Sequence, residues 1–148
     1  METGFEGFTV LINRISRNIR KLKTEQMETL DLKGPHVSCL YYLYQFGPQT
    51  AAELCERCEE DKAAISRSLD YLERNGYLTR EVTGKKSYRS LLTLTEKGRE
   101  TAGEIARRID CIVEAANGDL TPEERETMYR ALEIICRNLE TLNHKENV

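Results

Sequence analysis

The sequence predicts a mainly α-helical chain with one β-hairpin, and three observations predict it. Apolar residues recur at steps of three and four toward both ends, the middle is cut into short helices by Gly-Pro pairs and capping residues, and two β-rich arms flank a charged turn. With 148 residues the chain has the length of about one domain and can bury a real core. No apolar run approaches the roughly 20 residues of a membrane span, and the N-terminal stretch interrupts its apolar residues with charge, so a cytoplasmic protein is expected.

Taken in order, Phe5, Phe8, Ile12, Ile15, Ile19 and Leu22 fall on one stripe of a first amphipathic helix. Next, "GPHVSCLYYLYQFGP" is bracketed by Gly34-Pro35 and Gly47-Pro48, which start and stop a second helix. A third follows at once, with Thr50 and Glu53 at capping-box spacing. After a break at Glu59-Glu60, Asp61 is a good N-cap for a fourth helix, which Asn75-Gly76 ends in the left-handed conformation. "YLTREV", "TGKKS" and "YRSLLTL" read as strand, tight charged turn and strand, and Thr95 caps the next helix. There Ala102, Ile105, Ile109, Ile112, Val113 and Ala116 make a second stripe. Met128, Leu132, Ile135, Leu139 and Leu142 make a third, after a boundary marked by Thr121, Pro122 and Glu124.

Short helix, turn, short helix and a hairpin with a basic tip is the order of a winged helix-turn-helix, whose second helix enters the major groove. On the helix from Asp61 to Gly76, Ile65, Leu69 and Leu72 share a face for burial, and Lys62, Ala63, Ser66, Arg67 and Asp70 occupy the other. Small Ala63 and Ala64 let the backbone come close to DNA, an Arg can bond guanine through two nitrogens, and Lys62 suits a phosphate. A merely solvated face is the competing reading of the helix taken alone.

The overall formal charge is -3, so any preference for nucleic acid has to be local. Residues 61–90 hold seven basic and four acidic side chains, a net +3 that leaves -6 for the remainder. Such segregation favours phosphate binding by counterion release. Lys85 and Lys86 at the hairpin tip can reach phosphates or an adjacent minor groove.

"TAAELCERCEEDKAAISRSLDYLERNGYLTREV" followed by "LLTLTEKGRE" resembles the MarR (multiple antibiotic resistance regulator) family of winged-helix transcription factors. Four family features are present, at Glu53-Leu54, Asp61-Lys62, Leu72-Glu73 to Gly76, and Leu94 to Gly98. The resemblance implies a winged helix-turn-helix lobe over residues 33–97, flanked by helical dimerisation segments at 1–32 and 98–148. It implies a homodimer reading a pseudo-palindromic operator in double-stranded DNA, as a ligand-responsive repressor. By the same resemblance Ala63, Ala64, Ser66 and Arg67 are base-reading positions, and Thr50, Lys62, Lys85, Lys86 and Arg89 are candidates for phosphate or wing contacts. The family's Asp-x-Arg wing signature is replaced by "GKKSYRS", so Arg89 or Lys86 is left to take that role. Relatives often bind small aromatic compounds in a crevice between dimer helices and lobe, and Phe5, Phe8, His36, Tyr41, Tyr42 and Tyr44 are the candidate pocket. Aromatic residues at helical spacing also serve simply as core.

Five cysteines without a secretory signal fit free thiols better than bridges. Cys55 and Cys58 form a C-x-x-C without a second pair at zinc spacing, which reads as core packing, and a four-ligand set with His36 and Cys39 is the weaker alternative. Cys111 and Cys136 are expected in the dimer core, and no Cys precedes Cys39 to act as an N-terminal oxidant sensor. No metal site, no cofactor and no enzymatic activity are expected, since the sequence lacks a Gly-rich phosphate loop, H-E-x-x-H, G-x-S-x-G, or a Cys with a plausible His partner. The competing functions are a redox- or metal-responsive regulator of the same fold and a winged-helix module that binds protein. The last would keep its activity when the charges of Arg67 and Lys85 are reversed.

Overall fold

The computed structural model of the chain describes residues 4–58, 60–81 and 89–146. They form α1 (Phe5–Met27), a 3-10 turn (Glu28–Leu30), α2 (Gly34–Phe46), α3 (Ala51–Cys58), α4 (Lys62–Arg74), β1 (Leu78–Arg80), β2 (Leu92–Leu94), α5 (Glu96–Ala116) and α6 (Pro122–Glu146). The chain divides into two compact units, the first running to Ile112 and the second from Val113 onward.

In the first unit the boundary signals act through specific bonds. Thr50 and Glu53 cap α3 reciprocally, each side chain taking the other's backbone N–H at 3.3 Å. Asp61 Oδ1 accepts the Ala64 N–H at 2.7 Å and so caps α4. Gly76, at φ +80°, ends that helix in the left-handed region. The Gly76 N–H then bonds the Glu73 carbonyl at 3.1 Å and the Tyr77 N–H the Leu72 carbonyl at 2.8 Å, the paired bonds of a Schellman ending.

α2, α3 and α4 enclose a core in which Leu40, Leu54, Leu69, Leu72 and Leu92 have no exposed surface. α5 closes it with Ala102 and Ile105. Each such leucine or isoleucine contributes roughly 1.5–3 kcal/mol by leaving water. Arg108 of α5 adds a polar tie, donating to Thr29 Oγ1 at 2.7 Å and to the Gln26 carbonyl while pairing with Glu104 at 2.8 Å.

β1 and β2 pair antiparallel with Leu78 opposite Leu94, Thr79 opposite Thr93 and Arg80 opposite Leu92. Both strands are shorter than the arms that propensity suggests, and Arg89 lies in a turn instead of a strand. One feature left no signal in the sequence pattern. Gln49, between α2 and α3, bridges β2, exchanging backbone bonds of 3.3 and 2.8 Å with Leu92. Its buried amide donates to the Tyr42 and Gly47 carbonyls at 2.9 and 3.2 Å. Gln49→Ala is expected to destabilise the fold by about 1–2 kcal/mol, by stripping two carbonyls of their donor, which urea unfolding would read.

Within the second unit α6 starts as its sequence indicates. Thr121 and Glu124 make a capping box, at 2.9 and 3.2 Å, with Pro122 at the first helical position. Arg125 pairs with Glu114 at 3.2 Å and donates to the Asn117 carbonyl at 2.9 Å. No helix among the described residues is long and apolar enough to cross a membrane.

Candidate nucleic-acid interface

Burial sorts α4 into two faces. Ile65, Ser68, Leu69 and Leu72 are buried, whereas Lys62, Ala63, Ser66 and Arg67 are exposed and Ala64 is partly so. The outward face is therefore small at its start, with Lys62 and Arg67 as its cations. Among the described residues no carboxylate pairs with either of them, so both are available to an anion.

Arg80 behaves differently from the cation counted in the sequence. Its side chain is only 19% exposed, and it donates to Asp70 at 2.8 Å and to Glu73 at 3.0 Å. This fork fastens β1 to α4.

Thr50 sits partly buried at the start of α3 with its hydroxyl already accepting the Glu53 N–H. Arg89 is exposed at the near edge of the wing. Lys85 and Lys86 lie outside the described residues. Between α3 and α4 is a cavity of about 550 Å³ lined by Ala51, Cys55, Lys62, Ile65, Ser66 and Arg80 among others.

The candidate effector residues do not share one environment. Phe5 is 82% exposed, and Phe8 is exposed as well. Tyr41 and Tyr42 are packed against the core, and the Tyr44 ring lies beside Gly103. His36 lines a separate groove with Arg67, Tyr71 and Arg74. Its ring stacks flat on Tyr71, centroids 4.3 Å apart and planes 2° from parallel, and its Nδ1 accepts the Lys33 N–H at 3.4 Å.

Burial, helped by the Lys33 charge, holds the His36 pKa below the ordinary 6.5. Since the folded state disfavours the charged ring, the contribution of neutral His36 is complete above about pH 6.5 and is lost as pH falls through the depressed value. An NMR titration is expected to place its midpoint below that of a histidine in the unfolded chain. Stability measured between pH 7 and 5 is expected to fall less steeply in His36→Gln.

The hydrogen bonds also account for the run Leu94 to Gly98. Thr95 Oγ1 donates to the Gly76 carbonyl at 2.6 Å and accepts the Gly98 N–H at 3.0 Å, capping α5. Lys97 Nζ donates to the Asn75 carbonyl at 2.8 Å and sits 4.3 Å over the Tyr77 ring. The exit from the wing is thereby tied to the end of α4.

Cys39 is buried, Cys55 and Cys58 are half-buried against the core, and Cys111 and Cys136 are exposed on this chain. Among the described residues no three His, Cys, Asp or Glu side chains are arranged to hold a metal.

A three-helix core with a short antiparallel wing and a small-faced, cationic second helix defines a winged helix-turn-helix protein with a DNA-binding fold. The sequence model of the MarR family matches residues 30–86. A similar relative is the HTH-type transcriptional regulator YwoH of Bacillus subtilis, 29% identical over 115 residues, which span 78% of this chain and 83% of the relative. Among solved structures, Staphylococcus aureus MarR in complex with salicylate and kanamycin superposes with a TM-score of 0.81 at 20% identity, covering 92% of both chains. Staphylococcus aureus MepR in its DNA-binding conformation does so with a TM-score of 0.79 at 22% identity, covering 89% of this chain and 98% of the other. Residues 30–86 thus match the MarR family, and the similar curated relatives are HTH-type transcriptional regulators.

Proposed function

We propose that the chain is a homodimeric, sequence-specific DNA-binding regulator that reads a pseudo-palindromic operator in double-stranded DNA. The observation that carries this reading is the outward face of α4, where Ala63, Ala64 and Ser66 leave room for a close approach and Lys62 and Arg67 have no paired carboxylate among the described residues. In this reading Ser66 and Arg67 contact base edges beside Ala63 and Ala64, and Lys62, Thr50 and Arg89 hold phosphates, with Lys85 and Lys86 of the wing tip. Residues 33–97 act as the DNA-binding lobe, 1–32 and 98–148 as the dimerising region, in a cytoplasmic protein.

Dimerisation is supported by apolar stripes that a single chain leaves wet. Phe5, Phe8, Ile12, Ile15, Ile19 and Leu22 of α1 are all exposed, as are Leu132, Leu139 and Leu142 of α6. Full burial of such side chains contributes roughly 1.5–3 kcal/mol each, which gives a second copy a large reason to cover them. Cys111 and Cys136 are then placed in the dimer interface. Repression relieved by a small aromatic ligand is the regulatory reading, with His36 and its groove as the strongest member of the candidate pocket.

The test is fluorescence anisotropy on DNA from upstream of the chain's own gene, against a composition-matched scramble, at two salt concentrations. Selective, salt-sensitive binding by two protomers per site is the expected result. Charge reversal at Arg67 without loss of activity would instead favour a protein-binding module.

A further inference from the structure

Two hollows flank the outward face of α4. Lys62 and Ser66 line the cavity shared with α3, whereas Arg67, Tyr71 and Arg74, at helical spacing on the other flank, line the groove that holds His36. That groove has a volume of about 680 Å³ and takes in Lys33, exposed at the start of α2. The phosphate contacts proposed above come from α3, the first residue of α4 and the wing, and none of them lies in this groove.

Charge sets what the groove can take. Among the described residues no carboxylate pairs with Lys33, Arg67 or Arg74. Of the acidic side chains that line it, Asp70 is held by Arg80 at 2.8 Å, and Glu28 and Asp31 are the exposed remainder. His36 adds a neutral donor, because its Nδ1 accepts the Lys33 N–H and the ring proton therefore sits on Nε2. Such a row of donors fits a chain of anionic acceptors better than an apolar partner.

The spacing fits as well. Arg67 and Arg74 are seven residues apart, two turns and about 10.5 Å along one face of α4. The major groove of B-DNA is about 12 Å wide, close to the diameter of about 10–12 Å of a helix with its side chains. A helix seated in it therefore has a sugar–phosphate strand along each flank.

We propose that this groove receives the second sugar–phosphate strand of each operator half-site, with Lys33 and Arg74 bound to its phosphates. The proposal rests on the DNA-binding reading above and supplies the flank of α4 that the reading leaves bare. With Arg67 at a base edge, Arg74 meets the wall of the major groove two turns on, and Lys33 meets the same strand from α2. α4 is then gripped from both walls, and a ligand lying in this groove excludes the strand. Glu28 and Asp31 oppose the strand, which limits the gain.

The experiment follows anisotropy of the upstream DNA and its scramble with the full-length chain over a series of salt concentrations. Arg74→Ala and Lys33→Ala should each flatten the salt slope by about one per half-site and weaken both DNAs alike, leaving the preference between them intact. Should either variant fail to fold, Arg74→Gln or Lys33→Gln takes its place. Arg74→Lys should keep the parental slope, since a phosphate accepts a point charge as well as a fork. Glu28→Gln should act in the opposite sense and tighten binding to both DNAs. Arg14→Ala removes an equal charge from α1 and should change nothing, so a loss there as large as at Arg74 would reduce the effect to net charge and overturn the proposal. Parental affinity and slope in both groove variants would overturn it too, as would a loss confined to the upstream DNA. A parent that binds no DNA overturns the proposal together with the reading it rests on, whereas a selective parent matched by its groove variants overturns the proposal alone.

Discussion

Gly98→Ala is expected to destabilise the chain by about 3 kcal/mol or more, the upper end of what overpacking costs. A Cβ at this position would lie 1.9 Å from the Tyr77 carbonyl oxygen, 3.0 Å from its carbon and 3.2 Å from Leu94 Cδ2. The carbonyl cannot give way cheaply, because it accepts the Thr95 N–H at 3.0 Å, and the Tyr77 N–H is already bonded to Leu72. Gly103→Ala is the control. Its Cβ would meet the Tyr44 hydroxyl at 3.6 Å and the Tyr44 ring at 3.7 Å, ordinary contact distances, and removing a mid-helix glycine should stabilise α5 by up to about 1 kcal/mol. Urea unfolding of the two variants beside the parent reads both effects. Equal stability of Gly98→Ala and parent would mean that α5 can lift off Tyr77 without cost, against the close approach described here.

Arg67→Ala is expected to weaken operator binding by about 1–3 kcal/mol and to relax preference at one base position per half-site. Lys62→Ala should weaken all sequences alike and reduce the salt slope by about one. The distinction follows from where the two side chains sit on α4. Lys62 is at the first position, beside the Asp61 cap, and Arg67 lies further along the outward face. Binding isotherms over a panel of single-base operator variants, at several salt concentrations, test the pair together. Loss of the same size for both, with base preference intact, would reverse the division of roles.

Helix boundaries were legible in the sequence because short-range chemistry sets them. Thr50 with Glu53, Asp61, Gly76, Thr95 through its bond to Gly98, and Thr121 with Glu124 each act on backbone groups within a few residues, and each does what its spacing indicates. The outward and inward faces of α4 followed from periodicity alone. What escaped notice depends on partners distant in sequence. Nothing near Gln49 announces a bridge to Leu92, and Arg80 looks like any surface cation until β1 is laid beside α4. Gly98 was legible as a family feature, but its cause, a carbonyl 21 residues upstream at Tyr77, belongs to the packing.

The two ends of α4 are held unequally, and this has a consequence for motion. At the far end Gly76 and Tyr77 close the backbone, Thr95 and Lys97 reach across to its last carbonyls, and Arg80 grips Asp70 and Glu73. At the near end a single carboxylate, Asp61, secures the first turn. Amide protons should therefore exchange with solvent most slowly toward Leu72 and faster toward Lys62. The residues proposed to read nucleic-acid bases lie on the softer half. That half can settle into a groove at small cost in free energy while its anchored half keeps the register.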